Sequence, residues 1–329
     1  MNPPLKIGIA GLGTIGGGTF KLLTEQAEII ERRSGRTVRL VAVADPDASK
    51  MKEAEKNGIR CYADALPMAA DDDVDVVVEL IGGSDGIAKD LCEAAIEAGK
   101  HVVTANKALI AHHGTSLARA AEAKDVTLAF EAAVAGGIPI IKSLREGLAG
   151  NRLSRVYGIL NGTCNYILSA MTDQGREFED ILKECQEMGY AEADPSFDID
   201  GIDTAHKLAI LASVAFGGEV NFDAVHIEGI RHVSLMDMQF ASELGYSIKL
   251  LGVASVREDG LEQRVHPCMV PSSSPIAHLS GSLNAVVADG DFCDTIVHEG
   301  HGAGAGPTAS AVAANLIDIA RGLKVPTFG

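Results

Sequence analysis

Between Gly189 and Lys207 the chain reads GYAEADPSFDIDGIDTAHK, which sets Glu192, Asp194, Asp198, Asp200 and Asp203 just ahead of one lysine. Carboxylates and an ammonium gathered this closely can bind a small charged molecule and move a proton. The next residues, LAILASVAF from Leu208 to Phe216, are apolar and helix-compatible. The acidic run is therefore predicted to enter a buried helix whose first turns carry Asp203 and Lys207. Four residues apart, those two share one helix face. An acidic N-terminal cap with an ordinary surface ion pair would use the same residues.

A second chemical signal is Gly11-Leu12-Gly13-Thr14-Ile15-Gly16, which follows the apolar run LKIGIA and opens an amphipathic pattern reaching about Arg33. Strand, tight glycine turn and helix make a dinucleotide fingerprint: the glycines let backbone N–H groups approach a diphosphate, and the helix start supplies partial positive charge. A plain structural turn is the alternative. Asp45 closes the next strand (LVAVAD), where a carboxylate can take both hydroxyls of an adenosine ribose or simply serve as a strand-end turn residue. The interval from Gly16 exceeds the usual ~20 residues, which a long first helix explains. A carboxylate there repels a 2'-phosphate and Pro46 offers no compensating charge, so NAD is predicted to be favoured over NADP.

Thr104-Ala105-Asn106-Lys107 follows the strand at 101–104, so Lys107 is expected on the same sheet edge as the glycine turn. It can meet the nicotinamide end or a substrate oxygen, or begin a helix at the surface. Glu131 ends a further strand before AAVAGGIPI, and the turn from Val134 to Ile138 offers carbonyls that could ligate a hard monovalent cation, although glycine loops expose carbonyls routinely. Other features carry no chemistry. His298-Glu299-Gly300-His301 has the wrong spacing for HExxH and is expected at a glycine loop, His112-His113 reads as a solvated helix start, and Ser154, Ser213 and Ser234 lie in no nucleophile elbow.

Elements must hold these groups in place. Strands are predicted at 5–10, 38–44, 74–80, 101–104 and 126–130, with helical stretches at 50–56, 87–98 and 116–123 between them. Alternation of this kind makes a doubly wound α/β parallel sheet of Rossmann type, which binds ligands beyond the carboxyl ends of its strands. After Ala135 the rhythm changes. A helical run reaches about Leu148, and strand-like segments follow at 155–160, 225–230, 249–257, 261–270, 285–289 and 295–299, with helices at 178–188 and 235–244. The expectation is a dinucleotide-binding domain over 1–135 and an α+β domain over 136–303, with the apolar helix of 304–329 packing back on the first.

With 329 residues, 47% of them hydrophobic and 22% charged, the chain suits two globular domains. A net charge of −17, no tryptophan and no basic block exclude nucleic acid as an expected partner. Six cysteines without CxxC or zinc spacing read as reduced thiols, with the cytoplasm as the default compartment. No apolar run approaches the roughly 18 residues of a membrane span, and MNPPLKIGIAG, without a charged stretch or cleavage site, is expected to enter the first strand directly and not to act as a leader.

Taken together, GLGTIG at 11–16, TANK at 104–107, EAAVAGGIPI at 131–140, GILNGTCNYIL at 158–168, the acidic run at 189–207 and GAGAGPTAS at 302–310 resemble the homoserine dehydrogenase family, in order and over nearly the whole chain. NGTCNYIL and the E-x-D-P segment are far more specific than the nucleotide fingerprint. The resemblance implies reversible NAD(P)-dependent interconversion of L-aspartate 4-semialdehyde and L-homoserine, on the route to threonine, methionine and isoleucine.

Position by position, it implies that Lys107 and Lys207 are the active-site lysines, with Lys207 the proton donor, and that Glu192 binds substrate with Asp198 and Asp203 around it. Gly13, Thr14, Ile15, Gly16, Thr104, Lys107 and Gly304 fall on cofactor positions. The backbone of Glu131, Val134, Gly136 and Ile138 matches a sodium-type site, for Na+ or K+. The substrate carboxylate is expected on backbone N–H groups around Asn161, Gly162 and Thr163. A homodimer built through the second domain is implied as well. Many relatives continue into a threonine-sensing domain, whereas this sequence stops at Gly329, so the short form without one is expected. A dehydrogenase for another small acid, or a nucleotide sensor, would leave NGTCNYIL and the two lysines unexplained.

Overall fold

A computed structural model describes residues 3–189 and 191–329, so Tyr190 of the acidic run lies outside the described residues. Two compact units appear, one of residues 1–142 with 303–329 and one of residues 143–302.

The first unit carries a six-stranded sheet of β1 (Leu5–Ala10), β2 (Val38–Ala44), β3 (Arg60–Tyr62), β4 (Val76–Glu79), β5 (His101–Thr104) and β6 (Leu128–Ala129). Its order is β3-β2-β1-β4-β5-β6, with every pair parallel. The order reverses between β1 and β4, the switch point at which such sheets bind ligands. Register sets the chemistry there: Ala10 pairs with Ala44 and with Glu79, and Glu79 pairs with Thr104. The glycine turn, Asp45, Glu79 and Lys107 consequently follow or end strands along one carboxyl edge. Both faces are covered. Helix Ala305–Arg321 packs on helix Thr14–Glu25, and Val312, Leu316 and Ile319 join Ile7, Ile9, Phe20 and Val78 in one core. Contact is tight enough that a Cβ on Gly18 would lie 2.9 Å from the Ala305 carbonyl oxygen.

The second unit holds β7 (Leu153–Ile159), β8 (His226–Ile227), β9 (Tyr246–Arg257), β10 (Gly260–Pro271), β11 (Leu283–Gly290) and β12 (Asp294–His301), ordered β12-β11-β7-β9-β10-β8. All neighbours are antiparallel except β10 and β8. Helix Ile202–Phe216 packs across β7, β9 and β10 and is buried from Asp203 to Val214. An all-round buried helix is what the run LAILASVAF dictates. It starts at Gly201, whose φ of +88° suits glycine and whose missing side chain leaves room for Val265 and Ile227.

Several local expectations are revised. The pattern predicted as one helix to Arg33 is two, Thr14–Glu25 and Ala27–Ser34. Strand β3 and helix Gly162–Gln174 went unread, the first because three residues carry too little alternation, the second because NGTCNYIL mixes polar and apolar residues without a clear stripe. The segments at 225–230 and 126–130 pair over only two residues each. His298 to His301 lies on β12 rather than in a glycine loop, and His112-His113 lies inside helix Lys107–Ala123. The first unit runs on to Lys142 instead of Ala135, because the Glu131 carboxylate accepts the Ile141 and Lys142 N–H groups at 2.9 Å and ties that turn to it.

Candidate active site

In the second unit, Lys207 Nζ donates to Asp203 Oδ2 at 2.8 Å and to the Leu160 carbonyl at 2.7 Å. Two of the ammonium's three N–H bonds are thereby directed, which leaves one for a substrate oxygen. Asn161 completes the arrangement. Its Oδ1 accepts the Cys164 N–H at 2.8 Å as the cap of helix Gly162–Gln174, so its Nδ2 must donate, and it does so to Asp198 Oδ1 and Asp203 Oδ2 at 2.8 Å each. Cys164 Sγ reaches the Asp198 carbonyl at 3.2 Å, and burial, with Asp198 and Asp203 close by, holds that thiol well above its ordinary pKa. Cys164 is thus a neutral packing group.

The five acids of the run sort by partner. Asp198 and Asp203 converge on Asn161. Asp200 forms an exposed ion pair with Arg231 at 2.9 Å, and Asp194 accepts the Ser196 N–H at 3.1 Å. Glu192 is exposed, and among the described residues it makes no hydrogen bond or ion pair with Asp203 or Lys207; its backbone carbonyl accepts from Gln186 Nε2. The expected cluster is therefore smaller than the sequence run. Asn161, expected there for its backbone, also engages both acids through its side chain. Gly162 and Thr163 form the first turn of its helix, where N–H groups point outward with partial positive charge. A side chain at 162 would meet the Ser282 carbonyl at 2.6 Å, which explains the glycine.

In the first unit, Gly11 has φ of +88° and its Cβ would lie 2.6 Å from the Leu80 carbonyl, while a Cβ on Gly16 would lie 1.8 Å from the Gly11 carbonyl. Only glycine fits either place. Gly13 caps helix Thr14–Glu25 without a side-chain hydrogen bond and faces open space, so the N–H groups of Thr14, Ile15 and Gly16 form a cradle for an anion. Gly304, with φ of +111°, caps helix Ala305–Arg321 in the same side-chain-free way.

Asp45 is buried and faces this turn. Its Oδ2 accepts the Leu12 N–H at 2.8 Å, Oδ1 accepts the Asp47 N–H at 2.9 Å, and Lys50 Nζ stands 3.4 Å away. Burial works against its ionisation, but the two N–H groups and Lys50 outweigh it and hold the carboxyl below its ordinary pKa. A carboxylate has lone pairs left for ribose after two such bonds. The Thr104 hydroxyl, by contrast, has given its proton to Glu79 Oε2 at 2.5 Å and accepts the Asn106 N–H at 2.9 Å. A further contact from this hydroxyl can only be as an acceptor. Glu79, which the sequence reading missed, is fully buried and also holds the Ile81 and Gly82 N–H groups. An acidic residue ending the valine run VVVE was the signal available. Asn106 caps helix Lys107–Ala123, so Lys107 opens it, half-buried at the carboxyl edge.

Around Glu131 the carboxylate accepts the Ile141 and Lys142 N–H groups and the carbonyl accepts the Val134 N–H at 3.5 Å; a carbonyl has two lone pairs, so one such bond does not bar it from a cation. Ala135 and Gly136 are both left-handed, at φ of +55° and +51°, which turns successive carbonyls of this buried loop in different directions. No group of three His, Cys, Asp or Glu side chains able to hold a metal lies among the described residues. A carbonyl donor set of this kind fits a monovalent ion better than a divalent one.

Comparison with known proteins agrees with this geometry. A family profile described as "Homoserine dehydrogenase, NAD binding domain" matches residues 11–131, and one described as "Homoserine dehydrogenase" matches residues 139–317. The chain is 50% identical over 327 residues to a homoserine dehydrogenase of Pseudomonas aeruginosa, covering 97% of this chain and 73% of that one. It is 51% identical to a crystal structure of a homoserine dehydrogenase from Thiobacillus denitrificans, with a TM-score of 0.93 and coverage of 97% and 73%. A hyperthermophilic archaeal homoserine dehydrogenase in complex with NADPH matches at 25% identity and a TM-score of 0.83, covering 98% of this chain and 99% of that one.

Proposed function

The chain belongs to the homoserine dehydrogenase family, NAD(P)-dependent oxidoreductases that reduce L-aspartate 4-semialdehyde to L-homoserine, and we propose that Lys207 carries the proton of that reaction. Reduction puts a hydride on the aldehyde carbon and a proton on its oxygen, which gathers negative charge in the transition state. The nicotinamide cofactor supplies the hydride. Lys207, held by Asp203 and the Leu160 carbonyl, presents its remaining N–H to the oxygen and gives up that proton; in the oxidative direction the neutral amine takes it back. The observation that carries this reading is the two-acceptor grip on Nζ, which aims the third bond.

Lys107 helps hold the same oxygen. Asp198, half-buried and steadied by Asn161, and Glu192, exposed and with no ion pair among the described residues, receive the substrate α-ammonium. The first turn at Gly162 and Thr163 receives the carboxylate. Gly11, Gly13, Thr14, Ile15 and Gly16 cradle the cofactor diphosphate, supported by the uncapped helix start, while Thr104 and Gly304 contribute backbone groups. Asp45, held ionised against the turn, takes ribose hydroxyls and repels a 2'-phosphate, so NAD is the favoured cofactor; Lys50 is already paired with Asp45. Backbone carbonyls of Glu131, Val134, Gly136 and Ile138 hold a sodium or potassium ion.

The protein works as a homodimer through the second unit, on which Met236, Phe240, Leu244 and Met269 are exposed apolar groups. Its six free cysteines suit a reducing, cytoplasmic setting. Homoserine-dependent reduction of NAD+ and of NADP+, measured with the wild type and with Lys207→Ala, tests the reading. A variant that retains wild-type turnover rejects Lys207, and a clear preference for NADP+ rejects the role given to Asp45.

A further inference from the structure

The Leu160 carbonyl is buried at the point where β7 has ended and helix Gly162–Gln174 has not begun. The ladder between β7 and β11 stops at Ile159, opposite Ala285, so no backbone N–H reaches this oxygen among the described residues. Two side chains satisfy it instead, Lys207 Nζ at 2.7 Å and Asn284 Nδ2 at 2.9 Å. Asn284 stands on β11 and is 1% exposed. Its amide orientation follows from chemistry, since the flipped form would set oxygen against oxygen.

The other end of that amide is left over: Asn284 Oδ1 is buried with no hydrogen-bond partner among the described residues. An unmade buried acceptor costs about 1–3 kcal/mol, so packing alone gives no reason to keep an asparagine here. Gly302 lies against it so closely that an added Cβ would fall 2.0 Å from Nδ2. The side chain is therefore held from behind and makes its single hydrogen bond to the carbonyl that grips the reactive ammonium.

We propose that Asn284 is a positioning residue for Lys207. It pins the Leu160 carbonyl; that carbonyl and Asp203 Oδ2 together fix the direction of the third N–H of the ammonium. With Asn284 removed, the peptide between Leu160 and Asn161 loses its one neutral anchor and can rotate, and Nζ follows the oxygen. Asn161, on the other side of the same peptide, keeps its place, because its side chain caps helix Gly162–Gln174 and bridges Asp198 and Asp203. Small displacements of a reacting group are costly, on the order of 10²-fold for 1 Å. The inference rests on Lys207 as the proton carrier.

A double-mutant cycle tests it. Asn284→Leu keeps the volume and removes the donor, and its kcat for homoserine oxidation is expected to fall about 10-fold or more while KM for homoserine and cofactor stays within about 2-fold. In a Lys207→Ala background the same substitution should change kcat by less than about 2-fold, because Asn284 acts through the lysine. Unchanged kcat in folded Asn284→Leu, or a loss that persists in full without Lys207, overturns the proposal. If Asn284→Leu does not fold, Gly302→Ala carries the test, since its methyl group displaces the Asn284 amide; the same loss and the same suppression are expected, and wild-type kcat contradicts the idea. Failure of the Lys207 reading shows separately, as wild-type turnover in Lys207→Ala alone.

Discussion

Asp203 Oδ2 lies 2.8 Å from Lys207 Nζ one helical turn later, and the two side chains are 5% and 11% exposed. A surface pair of this spacing would contribute little, whereas a buried one is costly to break from one side. Asp203→Ala is expected to lower stability by about 3–5 kcal/mol, because it leaves the ammonium buried without its counter-charge. Asp203→Asn keeps the shape and one acceptor and should lose about 10–10²-fold in kcat with a smaller loss of stability. Denaturant unfolding and steady-state kinetics on both variants separate the two effects. Equal stability of wild type and Asp203→Ala would mean that the pair is solvated in solution.

Gly16→Ala places a Cβ 1.8 Å from the Gly11 carbonyl, so the turn must open. KM for the dinucleotide is expected to rise about 10-fold or more, with KM for homoserine unchanged, since the anion cradle and the acidic run lie in separate units. Titration of cofactor fluorescence checks this directly. An unaltered dinucleotide affinity would show that the diphosphate binds elsewhere.

Asp45 gives an acid-side signature. Its folded pKa lies below the unfolded value of about 3.9, so its contribution to stability is complete above that value and is lost as pH falls through the folded pKa. Asp45→Asn should therefore show a shallower loss of Tm between about pH 5 and pH 3 than the wild type does. Parallel curves would indicate that the Leu12 and Asp47 hydrogen bonds do not persist in solution.

Lys249 gives an alkaline-side signature of the same sign. Burial lowers its pKa to about 8, even though the ammonium hydrogen-bonds the Leu279 carbonyl at 2.7 Å and Asn165 Oδ1 at 3.2 Å. Between that value and the unfolded lysine value of about 10.4, the unfolded chain binds the extra proton, so stability rises with pH across the window. Measured against Lys249→Met, the wild type should gain Tm from pH 7.5 to 9.5. A constant difference between the two would place the lysine in contact with water.

What the residues disclose in advance depends on how local the cause is. The glycine turn was legible because strand, steric need for glycine and helix start occur within about a dozen residues, and the Asp203–Lys207 pair because i, i+4 spacing and an apolar run fix a face. Asn161 was read for its backbone, since nothing nearby in sequence announces that Asp198 and Asp203 will fold onto its amide. Glu79 was signalled only by its place at the end of a valine run and Asn284 by nothing local, for the same reason: their partners, Thr104 and Leu160, are supplied by parallel and antiparallel neighbours distant in the chain. Glu192 shows the converse, an acid of the same run that makes no hydrogen bond or ion pair with Asp203 or Lys207 among the described residues. A doubly wound parallel sheet follows from alternating strands and helices, whereas the order β3-β2-β1-β4-β5-β6 and the register that aligns Ala10, Ala44, Glu79 and Thr104 required the structure.

Chemical rescue tests the role of Lys207 most directly. Lys207→Ala is expected to lose about 10²-fold or more in kcat, with the dinucleotide still bound normally. Small primary amines added to that variant should then restore homoserine oxidation in proportion to their concentration and basicity, replacing the missing Nζ. Turnover near that of the wild type without any amine would contradict the account, because the proton would then travel by another group.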